Sequence, residues 1–268
     1  YSGSSLMKIA TWNVNSVRVR LPHVIDWLKI SNCDVLLLQE TKTVNETFPS
    51  SEFESINYKV AIVGQKSYNG VAVISKFPTK ILETSLPGDK KDSQARYLEV
   101  SIQEKKNKIR LGSIYLPNGN PINTDKFTYK ISWMDRLIEH AKKLIENEEI
   151  TILAGDYNVI PEEIDVYDPA GWEKDALFHP TTRSKYREIL NLGFYSSIRL
   201  IHPGKKIFSY WDYFAGSFQK NKGLLIDHIL LSPQACDKLI DSGIDTSPRE
   251  KDKPSDHTPV WCLSLIHI

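Results

Sequence analysis

Short apolar runs, each ending in polar or charged residues, recur along the chain. They are Met7–Asn13, Val35–Glu40, Val71–Ser75, Tyr97–Ile102, Ile109–Tyr115, Ile150–Asp156, Leu224–Ser232 and Val260–Leu265. β-branched and aromatic residues are frequent in them and turn residues bound most, so each reads as a strand. Between them apolar residues return at helical spacing. Leu21, Val24, Ile25 and Leu28 predict a helix over Leu21–Ser31. Phe127, Ile131, Met134, Leu137, Ile138, Ala141, Leu144 and Ile145 form one stripe over Asp125–Asn147. Thr182–Asn191 is a third helix, stopped at Leu192-Gly193. The two kinds of element interleave, with no Pro/Gly/Ser-rich linker, repeat or low-complexity stretch. That organisation predicts one domain of mixed sheets covered by helices.

Composition narrows the picture only slightly. The 268 residues are 41% hydrophobic and 25% charged, enough to bury a large core without disulfides or structural metal. Three cysteines at wide spacing, Cys33, Cys236 and Cys262, fit neither a disulfide framework nor a zinc site and are expected to be buried thiols. No apolar run reaches the roughly 18 to 20 residues of a membrane span. Tyr1 to Leu6 read as an expression remnant ahead of Met7, so the domain is expected over residues 7–268. With no secretion signal apparent, the expected place is the cytoplasm. Net charge is +1, which does not announce a nucleic-acid binder, although a neutral total is compatible with a basic face around an acidic pocket.

The acids at the strand ends carry the chemistry. Glu40 ends an almost purely apolar run, and Asp156 ends another with Asn158 two residues on. Asp227 sits inside Leu-Leu-Ile-Asp-His-Ile-Leu-Leu, and Asp256 precedes His257 and the last strand. A carboxylate in or beside a buried run is costly unless it is paired or metal-bound. Each of these motifs alone has a plainer reading: a return to the surface, a Gly-Asp-Tyr-Asn turn, a salt-bridged core acid. Together with Asn13 and His257 they are the material of one convergent site.

The residues Trp12-Asn13-Val14-Asn15, Leu38-Gln39-Glu40-Thr41-Lys42, Tyr115-Leu116-Pro117-Asn118-Gly119, Gly155-Asp156-Tyr157-Asn158, Ile226-Asp227 and Ser255-Asp256-His257-Thr258-Pro259-Val260 resemble, in this order, the bacterial type of the exonuclease III family of abasic-site endonucleases. The resemblance runs from about Met7 to Leu263. It implies an α+β fold, a four-layer sandwich of two packed mixed sheets flanked by helices, with the active site at one end. It implies a nuclease of base-excision repair that hydrolyses the phosphodiester 5′ to abasic sites in duplex DNA. The same family also acts as 3′-phosphodiesterase and 3′→5′ exonuclease on blocked 3′ ends.

The implied cofactor is Mg²⁺, with Mn²⁺ as a substitute. Glu40 is the main implied ligand, with Asn13, Asp156, Asn158, Asp256 and His257 around the metal. The implied catalytic set is Tyr115 on the phosphate, Asp156 and Asn158 on the attacking water, and His257 oriented by Asp227. Tyr210 or Trp211, with Leu224 and Ile226, are implied to line the pocket for the baseless sugar. Lys220 and Lys222 are candidate phosphate contacts. A monomer in the nucleoid-associated cytoplasm is expected. Two positions depart from the family pattern. Leu225 stands where a basic residue is usual, which suggests a lost phosphate contact or ion pair, and Phe214 stands where arginine is common and is a candidate wedge into the base stack. Two rivals remain on these residues: a phosphatase or phosphodiesterase of lipid headgroups or inositol phosphates with the same acidic site, and a catalytically silent DNA-binding module.

Overall fold

A computed structural model describes residues 6–104 and 106–266. The expected N-terminal remnant lies outside these residues except for Leu6. In chain order the elements are β1 (Met7–Asn13), α1 (Leu21–Ser31), β2 (Val35–Gln39), α2 (Ser50–Glu54), β3 (Lys59–Val63), β4 (Val71–Ser75), β5 (Lys80–Glu83), β6 (Tyr97–Glu104) and β7 (Asn107–Tyr115). Then come α3 (Asp125–Glu146), β8 (Ile150–Asp156), α4 (Pro169–Trp172), α5 (Pro180–Asn191), β9 (Tyr195–Ser196), α6 (Ser197–Ile201), β10 (Tyr210–Trp211), β11 (Gly223–Leu224), β12 (Asp227–Leu231), α7 (Pro233–Cys236), β13 (Leu239–Ile244) and β14 (Val260–Ser264).

The strands form two six-stranded sheets, in the orders β13-β14-β1-β2-β4-β3 and β5-β6-β7-β8-β12-β9, with β10 and β11 as a separate ribbon. Each sheet has one parallel pair near its centre, β1 with β2 and β7 with β8. The side-chain period of two then divides the apolar residues into layers. Ile9, Val35, Leu37 and Val73 from the first sheet meet Leu98, Val100, Leu111, Ile152 and Ile229 from the second in one buried core. The alternate residues Trp12, Leu36, Leu38 and Ile74 face α1 through Val24, Trp27 and Leu28. Tyr97, Ile114, Leu153 and Leu230 face α3 and α5 through Trp133, Met134, Leu137, Tyr186 and Ile189. The result is four layers, helix–sheet–sheet–helix. Leu37 is fully buried between the sheets. Leu37→Ala should therefore cost about 2–5 kcal/mol in urea unfolding, and a loss below about 1 kcal/mol would contradict this packing.

One polar stitch crosses the inner core beside the catalytic end. Gln39 Nε2 donates to Thr11 Oγ1 at 2.9 Å and to Ser113 Oγ at 3.1 Å, and Ser113 Oγ donates to the Leu38 carbonyl at 3.1 Å. Buried polar groups survive only when paired, so this network holds the two sheets in one relative position next to Glu40.

The run Leu224–Ser232, expected as one strand, is divided. Leu224 pairs with Tyr210 in the ribbon, whereas Asp227 pairs with Asp156 in the second sheet. At the crossing, Leu225 donates its N–H to the Asp165 carbonyl, and the Ile226 carbonyl accepts from Tyr157. Cys33 and Cys262 are buried free thiols as expected, while Cys236 is partly exposed.

Candidate active site

The parallel strands bring their C-terminal ends to one edge of the sandwich, the usual place for a ligand site between strands. Tyr115 at the end of β7 lies level with Asp156 at the end of β8, and Asp156 lies level with Asp227 at the start of antiparallel β12. From the other sheet, Asn13 ends β1, and Glu40 follows Gln39, the residue paired with Asn13. Close packing of the strands is what allows this. A Cβ on Gly155 would meet the Ile114 carbonyl oxygen at 1.9 Å, so only glycine fits before Asp156. Glu40 and Asn158 both hold left-handed backbones, with φ of 49° and 48°. Non-glycine residues rarely adopt that region, and such strain gathers at functional sites.

Asn13 braces the cluster. Its Nδ2 donates to Glu40 Oε1 at 2.8 Å and Asp156 Oδ2 at 2.9 Å, while its Oδ1 accepts from the Asn15 N–H at 3.0 Å. Asp156 is buried, and its Oδ1 accepts the Asn158 N–H at 3.0 Å. Burial raises the Asp156 carboxyl to about 7, with Asp227 and Glu40 pushing the same way against His257 and the Asn13 hydrogen bond. His257 is held by Asp227: Nδ1 lies 2.8 Å from Asp227 Oδ2, which also accepts from Ser209 Oγ at 2.7 Å. Burial alone would lower the His257 pKa, but Asp227, Asp156 and Asp256 together hold it well above the ordinary value. Its Nε2 faces Asp156 Oδ2 at 3.5 Å and Asp256 Oδ1 at 4.0 Å. Burial, with the charges of Glu40 and Asp156, keeps the Tyr115 phenol protonated far above its usual range. The Arg96 guanidinium lies over the Tyr115 ring at 4.9 Å.

These side chains border a cavity of about 200 Å³ lined by Glu40, Tyr115, Asp156, Asn158, Asp256 and His257 on one side and by Tyr210, Leu224 and Ile226 on another. Trp211 is not in the lining. Strand alternation turns its ring the other way, edge-on to Phe218 at 5.0 Å, with Nε1 donating to Asn221 at 3.0 Å. Asn13 also stands behind the lining, as a brace between two acids. Asn118, from the Tyr115–Gly119 motif, and Asn120, two residues on, complete the wall with Trp172, Asp175 and Leu177; these last three were not anticipated, because they come from a segment without periodic pattern.

Two buried residues behind the wall had also escaped notice. Ser209, which supports Asp227, has no sequence signal. Lys130 has one: it is a charge inside the apolar stripe of α3. It is fully buried, and its Nζ donates to the Asn118 carbonyl at 3.0 Å and the Asn158 carbonyl at 2.6 Å. Gly119, at φ 84°, packs on its stem.

The two departures from the family pattern fall in different places. Leu225 is buried in the inner core and turned away from the catalytic cavity. It borders instead an apolar cavity of about 390 Å³ with Tyr186, Arg199 and His228. Leu225 therefore packs in the core and lines no part of the catalytic cavity. The neighbouring ion pair is made by Arg199 with Asp165. Phe214 is 76% exposed on the loop after β10, beside Tyr213, whose hydroxyl bonds Asn15 and Pro254 at the site rim. Lys220 and Lys222 are exposed on the same loop.

Three carboxylates, Asp156, Asp227 and Asp256, sit against the imidazole of His257, and Glu40 joins them through Asn13, with Lys42 Nζ 3.5 Å from Glu40 Oε2 at the edge. Asp227 Oδ1 and Asp256 Oδ1 are buried with no hydrogen-bond partner among the described residues. Such crowding of negative oxygens fits a hard divalent cation, which prefers carboxylate and amide oxygens. In the metal-free protein, folded Asp156 binds its proton more tightly than an unfolded aspartate does. Its contribution to stability is therefore present at low pH and lost as pH rises from the ordinary carboxylate range through about 7. A bound cation offsets that loss, so the rise in Tm on adding Mg²⁺ should be larger at about pH 8 than at about pH 5.5. Equal rises at both pH values would contradict a cation held at Asp156.

With this geometry in view, the chain is a member of the Endonuclease/Exonuclease/phosphatase family, whose model matches residues 10–257. Among curated proteins it is 30% identical over 264 residues to exodeoxyribonuclease III of Haemophilus influenzae, covering 95% of this chain and 98% of that one. Among solved structures it superimposes on an AP endonuclease from Archaeoglobus fulgidus with TM-score 0.91 and 37% identity, covering 96% of this chain and 98% of that chain. It is also similar to a Neisseria 3′ phosphatase bound to product DNA hairpin, with TM-score 0.92, 34% identity and the same coverages. Among the described residues no helix is long and apolar enough to cross a membrane.

Proposed function

We propose that the chain is a divalent-cation-dependent nuclease that hydrolyses the phosphodiester 5′ to abasic sites in duplex DNA, with 3′-phosphodiesterase and 3′→5′ exonuclease activity at the same site. The observation that carries this reading is the cavity itself. One wall is acids, asparagines and an imidazole, while the other is Tyr210, Leu224 and Ile226. The polar wall suits a phosphodiester, and about 200 Å³ suits a sugar swung out of the duplex without its base.

Attack on a phosphodiester adds negative charge to a group already anionic, so the site must hold a water in line and neutralise the developing charge. Glu40, Asp156 and Asp256, with Asn158 alongside, would hold the cation, Mg²⁺ in this reading; when bound it supplies charge neutralisation at the phosphate oxygens. Asp156 takes the proton of the attacking water. In the metal-free protein burial raises its pKa to about 7, and a carboxylate facing the cavity in this way is placed to accept a proton. The backbone N–H of Asn158 and the amide of Asn13 fix the direction of the Asp156 carboxylate. His257 is held charged and pointed by Asp227, and its Nε2 faces the cavity as a donor to a non-bridging oxygen. Tyr115 stays protonated and offers a second donor, so a Tyr115 phenolate is the weaker candidate for the base. Exposed Lys220 and Lys222 supply phosphate contacts that weaken with salt. The protein works as a monomer.

The test is a labelled duplex carrying a single tetrahydrofuran abasic analogue, beside the same duplex unmodified and a soluble inositol phosphate. One Mg²⁺-dependent nick on the 5′ side of the lesion, leaving a 3′-hydroxyl, is expected. Phosphate release from the inositol phosphate with intact lesion DNA would instead establish the headgroup-phosphatase reading.

A further inference from the structure

The reaction cavity is closed on one flank by the Asn120 side chain, which makes two hydrogen bonds from one loop to another. Asn120 comes from the loop after β7, and Asp175 comes from the segment after α4. Asn120 Nδ2 donates to Asp175 Oδ1 at 3.1 Å, and Asn120 Oδ1 accepts the Ala176 N–H at 2.9 Å. Each residue is also fixed from its own side. The Asn120 N–H donates to Asn118 Oδ1 at 3.1 Å, and Asp175 Oδ1 accepts the Leu177 N–H at 2.9 Å. Both side chains line the catalytic cavity of about 200 Å³. Both also line a shallower groove on its outer side, bordered by Pro121, Ile122, Asn123, Gly171 and Lys174. The pair is thus the partition between the two spaces.

We propose that the Asn120–Asp175 pair is a size-selecting latch that confines the reaction cavity to a baseless sugar, and that opening it admits a nucleoside with its base into the outer groove. The argument rests on the nuclease reading above. A deoxyribose fits the closed cavity, whereas a base attached to the sugar needs further room. The neighbouring groove provides that room, with Pro121 and Ile122 as apolar surface for a base. Asn120 and Asp175 touch neither the attacking water nor the phosphate in this scheme; they act on which sugar can be seated. Exclusion by a wall of this kind is worth more against a whole ring system than against a methylene, which alone gives about 10-fold or more.

The experiment measures two rates on each preparation: incision at a tetrahydrofuran site, and removal of a normal nucleotide from a matched 3′ end. Asn120→Ala and Asp175→Ala break the latch. Asp175→Asn keeps a carbonyl oxygen as acceptor and preserves it. The expected result is a rise of about 10-fold or more in the ratio of nucleotide removal to incision for both alanine variants, with Asp175→Asn within about twofold of the wild type. A merely structural role would lower both rates together and leave the ratio alone, so an unchanged ratio in either alanine variant overturns the latch. Because the readout is a ratio within one sample, partial misfolding cannot imitate it. Failure of the wild type to incise the lesion at all would overturn the nuclease reading, and the latch with it, and is seen separately.

Discussion

Asp156→Asn is expected to lower the rate of lesion incision by about 10³–10⁴-fold while leaving the protein folded. The two halves of that expectation concern the same carboxyl. Asp156 is a buried carboxyl held near neutrality by lack of solvent and by Asp227 and Glu40. Its carboxylate is directed at the cavity by Asn13 and Asn158, and asparagine has no proton-accepting oxygen of comparable strength. Burial and the neighbouring acids make its charged form a burden on the metal-free fold. Removing the charge relieves that burden, so Tm without metal should hold or rise. Stopped-time assays under single-turnover conditions, beside a thermal melt, separate these effects. A variant retaining more than about a tenth of wild-type activity would transfer the base to another group.

The second large effect concerns Asp227 and His257. Their hydrogen bond of 2.8 Å, with Ser209 on the same carboxylate oxygen, makes one functional unit of the pair. His257→Ala and Asp227→Ala should each lower incision by about 10²–10³-fold, and the double variant should be no worse than the poorer single one. The reason is physical: an imidazole without its carboxylate loses both its orientation and the charge that keeps it protonated. A double-variant loss equal to the product of the single losses would show that the two act independently.

Much of this arrangement was readable from residues alone. Strands that end in acids were legible because an apolar run fixes the strand, and an acid just beyond it must emerge at the sheet edge. Glu40 and Asp156 follow that logic, and both stand at the cavity. The long stripe of α3 was legible because its period is regular over 22 residues. The limits are equally physical. β3, β5 and β13 lie at or next to sheet edges with half-exposed residues, so their apolar signal is diluted. The break at Leu225–Ile226 left no trace in an unbroken apolar run, because the change of partner strand is a matter of tertiary pairing. The side-chain direction of Trp211 hangs on the same register: one residue along the strand exchanges the cavity for the Phe218 side.

The site's outer wall was the least legible part. Trp172, Asp175 and Leu177 come from a segment where position depends on turn geometry and long-range hydrogen bonds. Lys130 was within reach of sequence reasoning. A lysine at a stripe position of an amphipathic helix must either snorkel out or find buried acceptors, and it finds two carbonyls at the base of the catalytic loops. Leu225 shows the opposite case, where a departure from the family pattern is an inward-facing core residue.

In the proposed function, the carboxylates at the meeting of the two sheets hold a divalent cation and hydrolyse DNA beside a baseless sugar. The most direct measurement is incision of the tetrahydrofuran duplex by chelator-treated enzyme as Mg²⁺ is restored stepwise, for the wild type and Glu40→Gln. The expected result is no incision in chelator, full recovery for the wild type at a saturable Mg²⁺ concentration, and a recovery curve for Glu40→Gln displaced to about 10-fold higher Mg²⁺ or more. Undiminished incision in chelator, or superimposable recovery curves for the two proteins, would contradict it.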